Sequence, residues 1–266
     1  MMGKWFKGMA GILAMLLMCV LMTTSVLADD EIYNWYCMRK KDHSQPCVES
    51  NMRFIKEYGG YYADETHANM ADSDKVIYLT FDAGYENGNV AKILDVLKDE
   101  QVPGAFFILE NLIERNEDLV RRMVDEGHLV CNHTMKHKDM TKVTDEAVFL
   151  AELDGLNKKF SDKFGCEMAR YYRPPEGKFT EQNMKFAYDA GYKTIFWSFA
   201  YADWDNNKQP GTEKAKKMIL DHVHNGEVML LHPTSATNAA ILGDVIRELK
   251  AQGFRFGTLD ELTGQS

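Results

Sequence analysis

The sequence predicts an α/β protein whose parallel strands curl into a distorted barrel of the (β/α)7 type, preceded by a short irregular extension. Three observations support this fold class. Short β-branched and aromatic runs alternate with amphipathic helical stretches from residue 75 onward. A glycine stands just before several of the predicted strands, where the preceding helix would end. About seven such units over about 190 residues favour a closed or nearly closed barrel over the alternative, an open doubly wound sheet.

The first 28 residues are typical of a secretory signal peptide. Lys4 and Lys7 precede an apolar run over residues 8–22, and small residues lead to a predicted cleavage after Ala28. The alternative is an uncleaved membrane anchor, because about 15 apolar residues are short for a full span but do not exclude one. We therefore expect residues 1–28 to be a signal and the protein to be exported.

Residues 29–74 form the predicted extension, which is polar, contains scattered aromatic residues and has little apolar periodicity. In an exported protein, Cys37 and Cys47 are expected to close a small disulfide loop, although two free thiols are the alternative. Cys131 lies in an apolar strand-like run and is expected to be a buried small hydrophobic residue.

The main domain is predicted over residues 75–264 as alternating strands and helices. Its predicted strands cover residues 76–81, 105–109, 129–132, 170–173, 194–198, 228–231 and 254–257. Its later helices are predicted over residues 183–190, 215–224 and 240–251. The formal net charge is -9 and no basic patch stands out, so nucleic acid is excluded as the expected partner. No protein partner is predicted.

Side chains able to carry out chemistry follow several of the predicted strands: Asp82, His133 with His137, Arg173, Asp203 with Trp204, and His232. Strand carboxyl ends open on one face in parallel α/β folds, so these groups are expected to converge. Simpler roles also exist, since Asp82 could only cap the next helix. His133 and His137 would share one face of a helical turn, an arrangement that suits metal coordination.

Five segments resemble, in order, the five motifs of the NodB-type polysaccharide deacetylases, carbohydrate esterase family four: residues 80–84, 133–137, 173–177, 203–204 and 230–232. Within that family, residues 85–88 and the aromatic extension are similar to the enzymes that deacetylate peptidoglycan N-acetylmuramic acid on the way to muramic δ-lactam in spore cortex. The resemblance implies the NodB barrel fold and hydrolysis of an N-acetyl group, with peptidoglycan glycan strands as the partner.

The resemblance also implies a role for each matched residue. Asp82 would be the general base and His232 the general acid, while Arg173 would orient Asp82 and Asp203 would orient His232. The implied substrate-binding residues are Pro174, Glu176, Trp204 and Leu230. Muramic acid and glucosamine both stay open as the sugar that is deacetylated.

The first motif departs from the family pattern, which has two consecutive aspartates with the second as a metal ligand. Ala83 stands at that second position, and a methyl group cannot bind a cation. A divalent ion such as zinc would then be held only by His133 and His137, and therefore weakly. The branch that makes δ-lactam is similar in lacking this aspartate, and Glu86 is the first candidate for a substitute ligand.

Two other function classes remain open. The substitution at Ala83 is compatible with a wall-glycan-binding protein that has lost catalysis. A glycoside hydrolase could use Asp82 and Asp203 as its two carboxylates. Acetate release from purified glycan would separate the deacetylase from the first alternative, and new reducing ends would indicate the second.

Overall fold

The computed structural model describes residues 31–265. The predicted signal peptide over residues 1–28 lies outside the described residues. Within residues 31–265, no helix is long and apolar enough to cross a membrane.

Ten strands and eight α-helices make up the described chain. The strands are β1 Tyr33–Asn34, β2 Gly60–Tyr61, β3 Lys75–Ala83, β4 Ala105–Ile108, β5 Leu129–Asn132, β6 Ala169–Tyr172, β7 Lys178–Phe179, β8 Lys193–Ile195, β9 Glu227–Leu231 and β10 Phe254–Phe256. The helices are α1 Val90–Asp99, α2 Glu110–Arg115, α3 Glu117–Asp125, α4 Glu146–Phe164, α5 Glu181–Asp189, α6 Thr212–Leu220, α7 Ala236–Ala251 and α8 Leu259–Thr263. Short 3-10 helices cover Ser50–Lys56, Glu65–His67, Met140–Lys142 and Pro175–Gly177.

The main sheet is parallel and curls into a barrel, which confirms the predicted fold class. Its strand order is β10-β3-β4-β5-β6-β8-β2, and β9 also pairs with β3. A parallel bridge between Phe199 and Met229 joins the segment after β8 to β9, so the strands return to β3. The open doubly wound alternative is therefore wrong. All seven predicted strands are present, because their apolar runs are buried between the barrel interior and the outer helices.

The turn glycines stand where the sequence predicts them. Helix α5 ends at Asp189, and Gly191 has φ +81° just before β8. Gly226 has φ +72° just before β9, and an added Cβ there would lie 2.3 Å from the Asp64 carbonyl oxygen. Only glycine fits both the left-handed conformation and this close approach.

The extension is more ordered than the sequence predicts. Strand β1 pairs antiparallel with β7, and β2 adds a parallel strand beside β8. The indole of Trp35 donates to the Trp197 carbonyl oxygen at 2.9 Å and stacks on Phe196 with ring centroids 4.3 Å apart. The extension is thus fastened to the barrel by strand pairing and by an aromatic cluster.

The expected disulfide is not formed in this structure, since both thiols are free. Cys37 is buried in the aromatic cluster, and burial raises the pKa of its thiol to about 12, whereas Cys47 is exposed. Cys131 is fully buried among apolar side chains, which confirms that prediction.

Candidate active site

A cavity of about 890 Å³ opens at the carboxyl ends of the strands. Asp82, His133, His137 and His232 all line it, although they are spread over the sequence. The convergence expected from parallel strand topology is therefore present. The extension contributes a second part of the wall, which consists of Trp35, Tyr36, Cys37 and Arg39.

Asp82 lies near the end of β3 and is held by Arg173, the residue that follows β6. Arg173 Nη1 donates to Asp82 Oδ1 at 2.8 Å, Nη2 donates to Thr80 Oγ1 at 2.9 Å, and Nε donates to a backbone carbonyl oxygen. The guanidinium is fully buried against the Phe107 ring. Burial favours the neutral acid, but the charge of Arg173 outweighs it and lowers the pKa of Asp82. Asp82 is thus an ionised carboxylate with a fixed orientation.

His232 follows β9 and is held by Asp203. Its Nδ1–H donates to Asp203 Oδ1 at 2.7 Å, and its backbone N–H donates to Asp203 Oδ2 at 2.8 Å. Asn238, on α7, donates to the same Oδ2 at 2.6 Å. Burial disfavours the imidazolium, but Asp203 outweighs it and raises the pKa of His232. The proton on Nδ1 is committed to Asp203, so Nε2 is the nitrogen available to a ligand.

His133 and His137 lie side by side, with ring centroids 4.9 Å apart. The His133 Nδ1–H donates to the Arg173 carbonyl oxygen at 2.8 Å, and Nε2 lies 3.5 Å from Asp82 Oδ2. Burial lowers the pKa of His133 to about 4, so this imidazole is neutral. A neutral imidazole with one nitrogen oriented by a carbonyl can act as a metal ligand.

The donor set is nevertheless incomplete for a resident metal ion. Ala83 is fully buried at the end of β3 and offers only a methyl group. Across residues 31–265, no group of three His, Cys, Asp or Glu side chains is arranged to hold an ion. Glu86 does not substitute, because its two carboxylate oxygens accept from the backbone N–H groups of Gly88 and Val90 at the start of α1. The described residues therefore supply two imidazole ligands but do not complete a protein-ligated metal site.

The predicted helical turn over residues 133–137 is wrong. Thr134 and His137 both adopt left-handed backbone conformations, with φ +72° and +55°. Asn132 Oδ1 accepts from the Thr134 N–H, and Thr134 Oγ1 accepts from the His137 N–H, so side chains replace the helical backbone bonds. Glu176 is also left-handed, with φ +57°. Such backbone is costly and concentrates at functional sites.

Three of the four predicted substrate-binding residues line the cavity: Glu176, Trp204 and Leu230. Trp204 is 64% exposed at the rim, whereas Leu230 is buried. Pro174 is not among the lining residues, because it is buried within the turn that its carbonyl oxygen closes by accepting from Gly177 N–H. Its contribution is to the shape of this turn.

Several residues of the site are not predicted by the sequence. Tyr36 and Arg39 line the cavity from the extension, and Tyr85 lines it after β3. The Asn238 side-chain amide donates a hydrogen bond to the Asp203 carboxylate. The one available signal was the run of aromatic and basic residues in a segment otherwise without pattern, but nothing in that run indicates which part of the barrel it contacts.

Comparison with known proteins identifies the family. Residues 69–195 match the model described as polysaccharide deacetylase. The chain is 38% identical over 234 residues to the peptidoglycan-N-acetylmuramic acid deacetylase PdaA of Bacillus subtilis, covering 88% of this chain and 86% of the relative. The solved structure of PdaA, a family 4 carbohydrate esterase, matches with a TM-score of 0.82 at 37% identity, covering 88% of this chain and 98% of that one.

Two further relatives differ in the activity that their names state. A peptidoglycan-N-acetylglucosamine deacetylase of Bacillus cereus is 34% identical over 198 residues, which cover 73% of this chain and 90% of the relative. A CE4 family pseudoenzyme from Bacillus anthracis matches in structure with a TM-score of 0.67 at 25% identity, covering 77% of this chain and 69% of that one. The fold therefore accommodates more than one sugar and also an inactive state.

Proposed function

Because the chain belongs to the polysaccharide deacetylase family of hydrolases, we propose that it removes N-acetyl groups from peptidoglycan amino sugars. The proposed substrate is N-acetylmuramic acid, as a step towards muramic δ-lactam in spore cortex. The similarity to the B. subtilis N-acetylmuramic acid deacetylase over most of both chains supports this choice. The observation that carries the proposal is that Asp82 and His232, each held by its own buried partner, line one cavity.

Asp82 is the proposed general base. Its lowered pKa keeps it ionised at neutral pH, and Arg173 occupies Oδ1, which leaves Oδ2 able to accept a proton from water. The oxygen of that water forms a bond to the acetamide carbonyl carbon. Arg173 is a positioning residue, because it acts through the carboxylate that it holds.

His232 is the proposed general acid. Its raised pKa favours the imidazolium, and Nε2–H donates a proton to the sugar nitrogen as the carbon–nitrogen bond breaks. Asp203 positions the ring and stabilises its positive charge. The products are acetate and a free amine on the sugar.

The turn at residues 174–177 offers a donor for the oxyanion that forms when water attacks. The N–H of Gly177 is used within the turn, whereas the N–H of Glu176 has no hydrogen-bond partner among the described residues. We propose that the Glu176 N–H stabilises the oxyanion, a contribution typically worth about 100- to 1,000-fold in rate. The carboxylate of Glu176 is separately neutralised by Lys178 at 2.5 Å.

Metal dependence is general among deacetylases of this family. We propose that a divalent ion such as zinc binds weakly at His133 and His137, because among residues 31–265 no carboxylate joins these two imidazoles in place of the residue at Ala83. The proton transfers assigned to Asp82 and His232 require only the groups of this chain.

The alternative functions are less well supported. Both oxygens of Asp203 accept hydrogen bonds from His232 and Asn238, so this residue has no free oxygen to serve as a glycosidase carboxylate. A binding protein without catalysis would not need Asp82 and His232 to be held in opposed protonation states. We further propose that the protein acts outside the cytoplasm, on the glycan strands of the wall.

The test is incubation of the protein with purified glycan strands, followed by acetate measurement and mass spectrometry of the sugars. We expect stoichiometric acetate and a mass loss of about 42 Da on muramic acid residues, because a hydrogen replaces the acetyl group on the nitrogen. The same mass loss on glucosamine residues instead would show that N-acetylglucosamine, and not N-acetylmuramic acid, is the substrate. New reducing ends without acetate would indicate a glycosidase, and no product would indicate the binding protein.

A further inference from the structure

The extension places a cation without an acidic partner in the wall of the active-site cavity. Arg39 is half-buried there, and its Nη1 contacts the Ala200 carbonyl oxygen at 3.1 Å and the Met218 sulfur at 3.0 Å. It forms no ion pair with any carboxylate of residues 31–265. Nε and Nη2 likewise have no hydrogen-bond partner within those residues, so part of the guanidinium fork is unused.

The other fixed charges of the cavity wall are compensated. Asp82 is paired with Arg173 at 2.8 Å, and Glu176 is paired with Lys178 at 2.5 Å. A partly desolvated guanidinium binds a carboxylate strongly, because two parallel N–H groups match its two oxygens.

Arg39 contacts a chain segment that leads to Asp203 and, through it, to His232. Ala200 and its two successors line the cavity, and the next residue is Asp203, which holds the general acid His232. Arg39 therefore contacts the wall segment that leads to the leaving-group side of the site. In N-acetylmuramic acid the acetamide and the 3-O-lactyl group are on adjacent ring carbons, so a substrate with its acetamide at His232 brings the lactyl group into the same cavity.

Resting on the proposed function, we propose that Arg39 is a specificity-determining residue that binds the lactyl carboxylate of muramic acid. Glucosamine has a hydroxyl at that ring position, and a lactyl group joined to a peptide is a neutral amide. Neither offers the anion that a guanidinium pairs with. The extension would thus supply sugar selectivity to a barrel whose catalytic groups are common to the family.

The test compares two substrates that differ only in this charge. One is peptide-free glycan with free lactyl carboxylates, and the other is the same glycan with those carboxylates converted to methylamides. The full exported chain is assayed as wild type, Arg39→Gln, Arg39→Lys and Lys40→Gln. Lys40→Gln is the matched control, because it also removes one positive charge, at the residue next to Arg39. The Lys40 amine donates to the Gln45 carbonyl oxygen within the extension.

We expect wild type to prefer the carboxylate substrate by about 10- to 100-fold in kcat/KM, mostly through KM, as for a hydrogen bond to a charged group. In Arg39→Gln, the ratio of kcat/KM for the carboxylate substrate to kcat/KM for the methylamide substrate should fall towards one. Arg39→Lys should keep most of the wild-type ratio, and Lys40→Gln should keep all of it.

If kcat/KM falls equally on both substrates in a folded Arg39→Gln protein, Arg39 has only a structural role and the assignment is overturned. An unchanged ratio in Arg39→Gln, or a wild type that treats both substrates alike, would overturn it too, while leaving the proposed deacetylation intact. Absence of acetate from both substrates with wild type would overturn the proposed function and this inference together. Circular dichroism melting confirms that each variant is folded.

Discussion

Two parts of the same cavity differ in how completely their polar groups are satisfied. On the acid–base side, Asp82 has Arg173, and His232 has Asp203, which is itself held by Asn238. On the imidazole side, His133 and His137 lie together, and no third ligating side chain from the described part of the chain joins them. Buried charges are costly unless partners compensate them. We therefore expect the proton transfers to depend on the side of the cavity that holds Asp82 and His232.

The largest effects are expected from substitutions of Asp82 and His232. Asp82→Asn and His232→Ala should each lower kcat for acetate release by about 100- to 10,000-fold, because general acid–base groups typically contribute that much. Initial-rate assays on glycan strands measure the loss, and thermal unfolding reports whether the fold survives. Near-normal activity in either folded variant would mean that the proton transfers occur elsewhere.

The next effect is a change in the pH profile. Asp82 has a lowered pKa and His232 a raised one, so kcat/KM should be maximal between an acid limb below the usual aspartate range and an alkaline limb above the usual histidine range. Asp203→Asn removes the charge that raises the pKa of His232. Its alkaline limb should therefore move to lower pH, while the acid limb set by Asp82 stays in place. An alkaline limb that does not move would show that His232 is not the titrating acid.

A smaller effect is expected at the cavity rim. Trp204 is mostly exposed, and an indole at the rim can stack on a sugar ring. Trp204→Ala should therefore raise KM by about 2- to 10-fold with little change in kcat. Tyr188 is exposed on α5 outside the cavity wall, and Tyr188→Ala is the control. A large loss of kcat in Trp204→Ala would mean that the indole also contacts the reacting group.

The smallest effect is expected on the imidazole side. Dialysis against EDTA should leave acetate release within about threefold of its starting value, since no carboxylate between residues 31 and 265 completes an ion site with His133 and His137. Ala83→Asp supplies the missing ligand and should tighten zinc binding by about 10-fold or more, as measured by calorimetry. Complete loss of wild-type activity with EDTA, restored by one metal, would show that the incomplete donor set holds a functional ion.

The barrel could be predicted because its longer strands, such as β3 Lys75–Ala83 and β9 Glu227–Leu231, carry continuous apolar runs. Strand β2 was not predicted, since Gly60–Tyr61 spans two residues and gains its place only by pairing with β8, more than a hundred residues away. The prediction that Glu86 is a substitute metal ligand is wrong. A carboxylate near the start of a helix can either bind a metal or accept from the first backbone N–H groups, and Glu86 does the latter. Backbone N–H groups that need an acceptor favour capping.

The site was predictable where residue type and strand position agree, as for Asp82, Arg173 and His232. It was not predictable where a contact depends on remote chain segments. Arg39 and Ala200 are separated by 161 positions, and nothing local to either residue encodes their approach. The wrong helical interpretation at His133 has a different cause, because the Asn132 and Thr134 side chains supply hydrogen bonds that compete with the helical backbone pattern.

The pairing of β3 with β9 affects how the chain matures. Asp82 is synthesised early, but the strand that leads to His232 is made about 150 residues later, and contacts of such long sequence separation form slowly. A chain that ends before β9 would therefore carry the proposed base, Asp82, without the proposed acid, His232. The proposed hydrolysis would then require that β9 has been made and has paired with β3.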